Sequence, residues 1–284
     1  MKVLIFGAGG MAGHIAALRL AELGHSVTGL ARKKLPFCNT IVADVMDIEK
    51  LNIVLDYDAV INCVGVLNKA VDEEPYDGIW LNACLPHLLA KLARDSKTKI
   101  IHLSTDCVFS GHEDGNYKEN SFRSADTLYG RSKALGELND DKNLTLRMSI
   151  IGPDINENGI GLFNWFMKQK ESVNGYTNAI WTGASTIVLA DAINAALEQN
   201  LTGLYHLVSG EKISKFSLLG LFNTLRNESV TIIPSDAVKE DKSLVNTRND
   251  FDFIVPTYAK MVADMGKWIK QHVNLYSQYK LKEN

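Results

Sequence analysis

The chain has 284 residues, of which 46% are hydrophobic and 22% charged, and its formal net charge is −3. A chain of this length can form one large domain or two modest ones, burying roughly three quarters of the surface exposed when unfolded. It has neither a basic block nor a charge-segregated half, so no nucleic-acid or membrane partner is expected, and no apolar run is long enough to span a bilayer.

The N-terminal Met1-Lys2-Val3-Leu4-Ile5-Phe6 superficially resembles a secretory signal, but Gly7, Gly9, Gly10 and Gly13 interrupt it. The apolar region of a signal is normally unbroken, so this stretch reads as a first β-strand. The four cysteines (Cys38, Cys63, Cys84 and Cys107) match no metal-ligand spacing, and a reduced, cytoplasmic chain is expected. Strand-like apolar runs follow at 26–30, 40–43, 59–62, 99–103 and 144–147. Amphipathic helical patterns lie between them at 11–23, 48–55, 79–94 and 128–138. This alternation predicts a doubly wound, Rossmann-type parallel α/β sheet over residues 1–150. Strands covered on both faces should be continuously apolar, as Val3-Leu4-Ile5-Phe6 is. Beyond 150 the alternation stops. A helix is expected at 162–170, then an irregular segment to 183, a helix at 186–197, a strand at 204–208 and a last helix at 258–276. Residues 151–284 thus read mainly as a smaller substrate-binding lobe, with the chain returning to the first domain around 184–202.

Strand one runs into Gly7-Ala8-Gly9-Gly10-Met11-Ala12-Gly13 and then a helix. In a dinucleotide site Gly7 permits the tight turn, Gly10 lets backbone approach a pyrophosphate, and Gly13 lets the helix pack against the sheet. The N–H groups of the helix then face the anion. Gly9 and Met11 belong to the same cradle. Strand two ends in Arg32-Lys33-Lys34 with no acidic residue to accept an adenosine ribose hydroxyl. Arg32 and Lys33 suit a 2′-phosphate, so NADPH (NADP+) is favoured over NADH. Asp44-Val45 after strand three would meet the adenine. Cys63-Val64-Gly65 after strand four would lie beside the cofactor.

Three residues form the candidate catalytic set: Thr105, Tyr129 and Lys133. Tyr129 and Lys133 are four apart on a helical pattern and share one face. A free phenol titrates near ~10, and an adjacent ammonium would lower that value towards the working range. Thr105 follows an apolar strand, at the edge where parallel sheets bind ligands. A second Tyr-x-x-x-Lys, Tyr276/Lys280, lacks this context and reads as a surface coincidence.

Gly7-x-x-Gly10-x-x-Gly13, Ser104-Thr105-Asp106-Cys107-Val108-Phe109-Ser110-Gly111, Tyr117-x-Glu119 and Tyr129-Gly130-Arg131-Ser132-Lys133-Ala134-Leu135-Gly136-Glu137 resemble the extended short-chain dehydrogenases. Within these, the chain most resembles the dTDP-4-dehydrorhamnose reductase family, closely to residue 150 and more loosely after it. The resemblance implies that Thr105, Tyr129 and Lys133 are catalytic, that Lys133 also bonds the nicotinamide ribose, and that Asn82 lies near the catalytic floor beside the cofactor. Cys107 stands where the family usually has an aromatic residue, and Ile150 where it usually has Trp. Val66-Leu67-Asn68-Lys69 departs from a Thr-containing pattern. These positions contact the sugar in the family.

The resulting expectation is NADPH-dependent reduction of the 4-keto group of a nucleotide-activated 6-deoxyhexose, in polysaccharide precursor biosynthesis. The substrate is dTDP-linked or, alternatively, a UDP-linked 4-keto N-acetyl amino sugar. A non-catalytic NADP-binding subunit and a redox-neutral epimerase or dehydratase with bound NAD are the rivals. Substrate contacts are expected from Thr105, Asp106, Cys107, Tyr129, Arg147, Ile150 and Trp181, with orienting Thr105 as the alternative for Asp106. Arg147 and Arg248 are candidates for the pyrophosphate, with structural ion pairs as the alternative. His102 reads as a satisfied interior histidine. No metal is expected, and a homodimer is the assembly considered.

Overall fold

The computed structural model describes residues 1–282. The first half alternates strands with helices: β1 (Lys2–Phe6), α1 (Met11–Glu22), β2 (Ser26–Ala31), β3 (Asn39–Val42) and, after a 3-10 segment at Ile48–Asp56, β4 (Ala59–Asn62). There follow α2 (Asn68–Glu73), α3 (Pro75–Ile79), a π-helical turn (Trp80–Cys84), α4 (Leu85–Leu92), β5 (Lys99–Ser104), α5 (Leu128–Leu135) and β6 (Leu144–Arg147). The second half contains β7 (Ser149–Ile151), α6 (Leu162–Met167), β8 (Ser172–Trp181), β9 (Gly183–Ser185), α7 (Thr186–Glu198) and β10 (Gly203–His206). It closes with β11 (Ile213–Ser214), α8 (Lys215–Asn223), β12 (Thr231–Asp241) and α9 (Tyr258–Gln271).

Seven strands form one parallel sheet in the order β10-β6-β5-β4-β1-β2-β3. Side chains alternate across β1: Val3 and Ile5 enter the core on one face, Leu4 and Phe6 the core on the other. The first of these cores continues from the sheet into the second lobe through Phe163, Trp181, Phe222 and Tyr276, so the lobes share one interior. The return of the chain to the sheet takes the form of α7, packed on α1. It extends past the expected 202 to β10, which is the edge strand beside β6.

The expected irregular segment before Gly183 is instead β8, a ten-residue strand between β11 and β12 in a second sheet. Its Asn174, Gly175 and Asn178 are poor strand formers, and long-range packing overrides them. A Cβ on Gly175 would lie 2.7 Å from both Phe216 and Ile232, so glycine is what lets α8 and β12 close on this strand. Partner β12 occupies the sheet edge, where Pro234 is tolerated.

The C-terminal tail also departs from expectation. Tyr276 is 1% exposed. His14 Nδ1 lies 2.9 Å from the Gly10 carbonyl, which can only accept. The ring hydrogen therefore sits on Nδ1, and Nε2 accepts from the Tyr276 hydroxyl at 2.7 Å. Trp268 Nε1 donates to the same hydroxyl at 3.0 Å. Burial pushes His14 down to about 4, which keeps the ring neutral. Tyr276 is thus a buried anchor for the glycine-turn helix rather than a surface residue.

Candidate active site

The carboxyl ends of β2, β1, β4 and β5 lie side by side, with the chain departing to opposite sides of β1. Ligands bind open parallel sheets at such a switch point. The turn after β1 is built for close backbone approach. Gly7 has φ +74°, a left-handed conformation open to glycine, and a Cβ on Gly13 would stand 2.2 Å from the Gly7 carbonyl oxygen. A Cβ on Gly9 or Gly10 would come no closer than 3.5 or 3.4 Å to protein, so their faces are open. Gly10 caps α1 without a side-chain bond, and no acidic residue stands in the first turn. An open glycine cradle at an uncapped helix N-terminus fits a dinucleotide pyrophosphate. A Cβ on Gly161 would lie 2.8 Å from Met11 Sδ, so the segment leading into α6 packs against this turn. Arg32, Lys33 and Lys34 stand exposed at the end of β2. Asp44 is exposed after β3 and accepts the Met46 N–H at 2.9 Å, with Val45 half-buried beside it.

Thr105, Tyr129 and Lys133 are all buried, at 8%, 8% and 4% exposure. Thr105 follows β5 and caps the short 3-10 turn Asp106–Val108: its Oγ1 accepts the Cys107 N–H at 3.1 Å. The same hydroxyl bonds Asp106 Oδ1 at 3.1 Å. Tyr129 opens α5, which Thr127 caps. Gly130 is required behind it, because a Cβ there would meet the Cys107 carbonyl oxygen at 2.1 Å. The helix that carries Tyr129 and Lys133 therefore rests directly on the Thr105 turn.

The expected electrostatic coupling takes a different form. Lys133 Nζ donates to the Leu103 carbonyl at 2.6 Å and lies 3.2 Å from His102 Nε2. Burial lowers its pKa to about 8. Among the described contacts, the Lys133 ammonium bonds the Leu103 carbonyl and not the phenol. Burial, the Cys107 thiol and Asp106 push the Tyr129 pKa up, and a hydrogen bond with the Thr105 hydroxyl pulls it down. Tyr129 is held as a neutral phenol. His102 is fully buried between Lys133 and Asn62, whose Nδ2 is 3.1 Å from Nδ1.

Asn82 is neither a helix-surface amide nor a free cofactor contact. It is fully buried on the π-turn, a local defect that often marks functional sites. Its amide exchanges two 2.9 Å bonds with Val66 backbone and donates to Ser132 Oγ at 3.1 Å. It ties the segment after β4, including Cys63, Val64 and Gly65, to α5. Burial pushes the Cys63 thiol up to about 12.

Two arginines and a tryptophan leave the substrate set. Arg147 is 1% exposed and bidentate on Glu137 at 2.7 and 2.6 Å, with Nη1 2.8 Å from His206 Nε2. Its charge is consumed by a structural ion pair. Arg248 is likewise held by Asp250 and the Thr202 and Leu204 carbonyls. Trp181 is buried against Tyr258, ring centroids 5.4 Å apart. Ile150 is half-buried on β7, packed against the core.

The composition reading missed two features. Glu137, which ends the Tyr129 motif, also accepts from Ser104 Oγ at 2.7 Å. It thereby fastens α5 to β5 and β6. Lys242, just past β12, bonds Glu240 at 2.7 Å, and Lys215 stands 3.9 Å from the same carboxylate. Both ammonium groups act on Asp106. Only the fold of α8 and β12 brings them there, and no local spacing announces it. Among the described residues, no group of three or more His, Cys, Asp or Glu side chains is placed to hold a metal ion. No helix there is long and apolar enough to cross a membrane.

The family model for the RmlD substrate binding domain matches residues 1–241. A probable low-salt glycan biosynthesis reductase, Agl14, of Haloferax volcanii is 28% identical over 230 residues, covering 75% of this chain and 76% of that protein. The dTDP-4-dehydrorhamnose reductase of Salmonella typhimurium is 27% identical over 286 residues, covering 91% and 94%. Among solved structures, the dTDP-4-dehydrorhamnose reductase of Bacillus anthracis, crystallised with NADP, superposes with a TM-score of 0.79 at 20% identity. That match covers 95% of this chain and all of the other.

Removing one member of a buried ion pair strands the other. Glu137→Ala should therefore cost about 3–5 kcal/mol of stability, read from denaturant unfolding. A loss below about 1 kcal/mol would show that the pair does not hold the helix.

Proposed function

The chain belongs to the RmlD substrate-binding-domain family, and on that premise we propose that it reduces the 4-keto group of a nucleotide-linked 6-deoxyhexose with NADPH. A dTDP-linked sugar is the first candidate, since a dTDP-4-dehydrorhamnose reductase aligns along nearly the whole chain. One observation carries the reading: a buried neutral phenol and a buried hydroxyl, Tyr129 and Thr105, stand at the same sheet edge that bears the glycine cradle. Two converging O–H groups suit a carbonyl oxygen on which negative charge develops.

NADPH, when bound, supplies the hydride. Gly7 to Gly13 and the first turn of α1 would hold its pyrophosphate, and Arg32 with Lys33 its 2′-phosphate. Thr105 and Tyr129 position the ketone oxygen, and Tyr129 gives it a proton. The raised pKa of Tyr129 keeps that proton in place until the oxygen becomes basic enough to take it. Lys133 lies one turn from Tyr129 and would swing from the Leu103 carbonyl to the nicotinamide ribose. Cys107, smaller than the aromatic usual in the family, would leave room at the sugar. That room keeps a UDP-linked N-acetyl amino sugar in the test. We place the reaction in the cytoplasm, in line with four free cysteines, with a homodimer as the assembly.

NADPH consumption against dTDP- and UDP-linked 4-keto sugars tests the reading. Tyr129→Phe should bind NADPH normally and lose about 10²- to 10⁴-fold in turnover; full activity would remove the proton-donor role. Arg32→Asp should weaken NADPH binding at least tenfold more than NADH binding, by about 1.4 kcal/mol or more, and an unchanged ratio would refute the 2′-phosphate contact.

A further inference from the structure

His14, fully buried four residues past Gly10, donates its Nδ1–H to the Gly10 carbonyl at 2.9 Å. The His14 backbone N–H donates to the same oxygen at 3.0 Å, so both lone pairs of that carbonyl are held. The Gly10 C=O and the Met11 N–H belong to one planar trans peptide and point in opposite directions. Fixing the oxygen therefore fixes the Met11 N–H, which points out of the N-terminal end of α1. As the first helical N–H it has no acceptor within the helix, and it is a donor that an anion there would meet. Gly10 has no side chain to hinder rotation of this peptide, so the second donor from His14 restrains it.

The C-terminal tail holds His14 in turn. The Tyr276 hydroxyl donates to His14 Nε2 at 2.7 Å and accepts from Trp268 Nε1 at 3.0 Å. Three residues on, Tyr279 grips the opposite wall of the turn. Its hydroxyl accepts the Asp154 N–H at 2.9 Å and donates to Asn164 Oδ1 at 2.8 Å. Asn164, itself fully buried, donates to the Glu157 and Gly159 carbonyls at 3.0 and 2.6 Å. The segment pinned in this way runs on to Gly161, which packs on Met11 Sδ. Burial pushes both phenols up, Tyr279 to about 12, so each keeps the proton it donates.

We propose that Tyr276 and Tyr279 are positioning residues for the dinucleotide. Tyr276 acts through His14 to aim the Met11 N–H at the pyrophosphate, and Tyr279 acts through Asn164 to hold the segment that walls Met11. The inference rests on the cofactor half of the reductase reading. What distinguishes it from simple anchoring of the tail is where the chain of bonds ends. It ends on the one carbonyl whose peptide carries the first N–H of α1.

The test is the Kd for NADP+, by calorimetry, of the wild-type chain, Tyr276→Phe, Tyr279→Phe and Tyr205→Phe, with urea unfolding of the same samples. Tyr276→Phe and Tyr279→Phe should each raise Kd about tenfold, the size of one lost hydrogen bond. Tyr205 lies on β10, at the sheet edge, and its hydroxyl bonds Asn246 at 2.6 Å. Tyr205→Phe should therefore lose stability and leave Kd unchanged. An unchanged Kd in Tyr276→Phe, or an equal rise in Tyr205→Phe, would overturn the proposal. Coupling between sites is reciprocal, so NADP+ should also tighten the tail. Amide hydrogen exchange of the wild type at residues 272–280 should slow on adding NADP+, and by more than at residues 203–208. Slowing no greater than at 203–208 would overturn the assignment, and this readout needs no variant to fold. Neither measurement uses turnover. A wild type that binds NADP+ and reduces no 4-keto sugar sinks the reductase reading alone, whereas one that binds no NADP+ overturns both.

Discussion

Glu137 receives the Ser104 hydroxyl from β5 and both arms of Arg147 from β6, while sitting just beyond the last turn of α5. The helix that carries Tyr129 and Lys133 is therefore fastened to the strand that ends in Thr105, one residue past Ser104. Both partners of the ion pair are 1% exposed, so its hydrogen bonds operate where water does not compete. His206 on β10 bonds Arg147 in turn, which extends the tie across the edge of the sheet. The placement of Thr105, Tyr129 and Lys133 is thus set less by those residues than by the buried charge behind them.

Burial then decides the proton chemistry. It raises Tyr129 and Asp106 and lowers Lys133, each towards its neutral form. A site of uncharged O–H groups around a ketone suits reduction, in which the substrate oxygen must receive a proton as hydride arrives. The second lobe completes this environment by bringing Lys215 and Lys242 near Asp106 and by packing residue 161 against the glycine turn.

Much of the first half was legible because each signal is local. Val3-Leu4-Ile5-Phe6 reads as a doubly covered strand from its unbroken apolar run, and Gly7 and Gly13 read as a tight turn from their spacing. Thr105 and Tyr129 were paired from motif order, and both lie buried where α5 rests on the turn after β5. The electrostatic reason given for Lys133 did not carry over, because rotamer and burial, not spacing, decide where an ammonium points. Arg147 and Trp181 looked like ligand contacts because sequence cannot tell a buried partner from a free one. Strands β8 and β12 were invisible for a related reason. Their Asn, Gly and Pro residues argue against strands locally, and only pairing with each other and packing under α8 makes them so. Tyr276 was dismissed because its partners, His14 and Trp268, lie 262 and 8 residues away.

The most direct measurement of the central claim uses NADPH carrying deuterium at its transferable position with a dTDP-linked 4-keto-6-deoxyhexose, the product being analysed by mass spectrometry and NMR. The account predicts one deuterium at C4 for each NADPH consumed. A product without label at C4, or conversion of the sugar with no NADPH consumed, would contradict it.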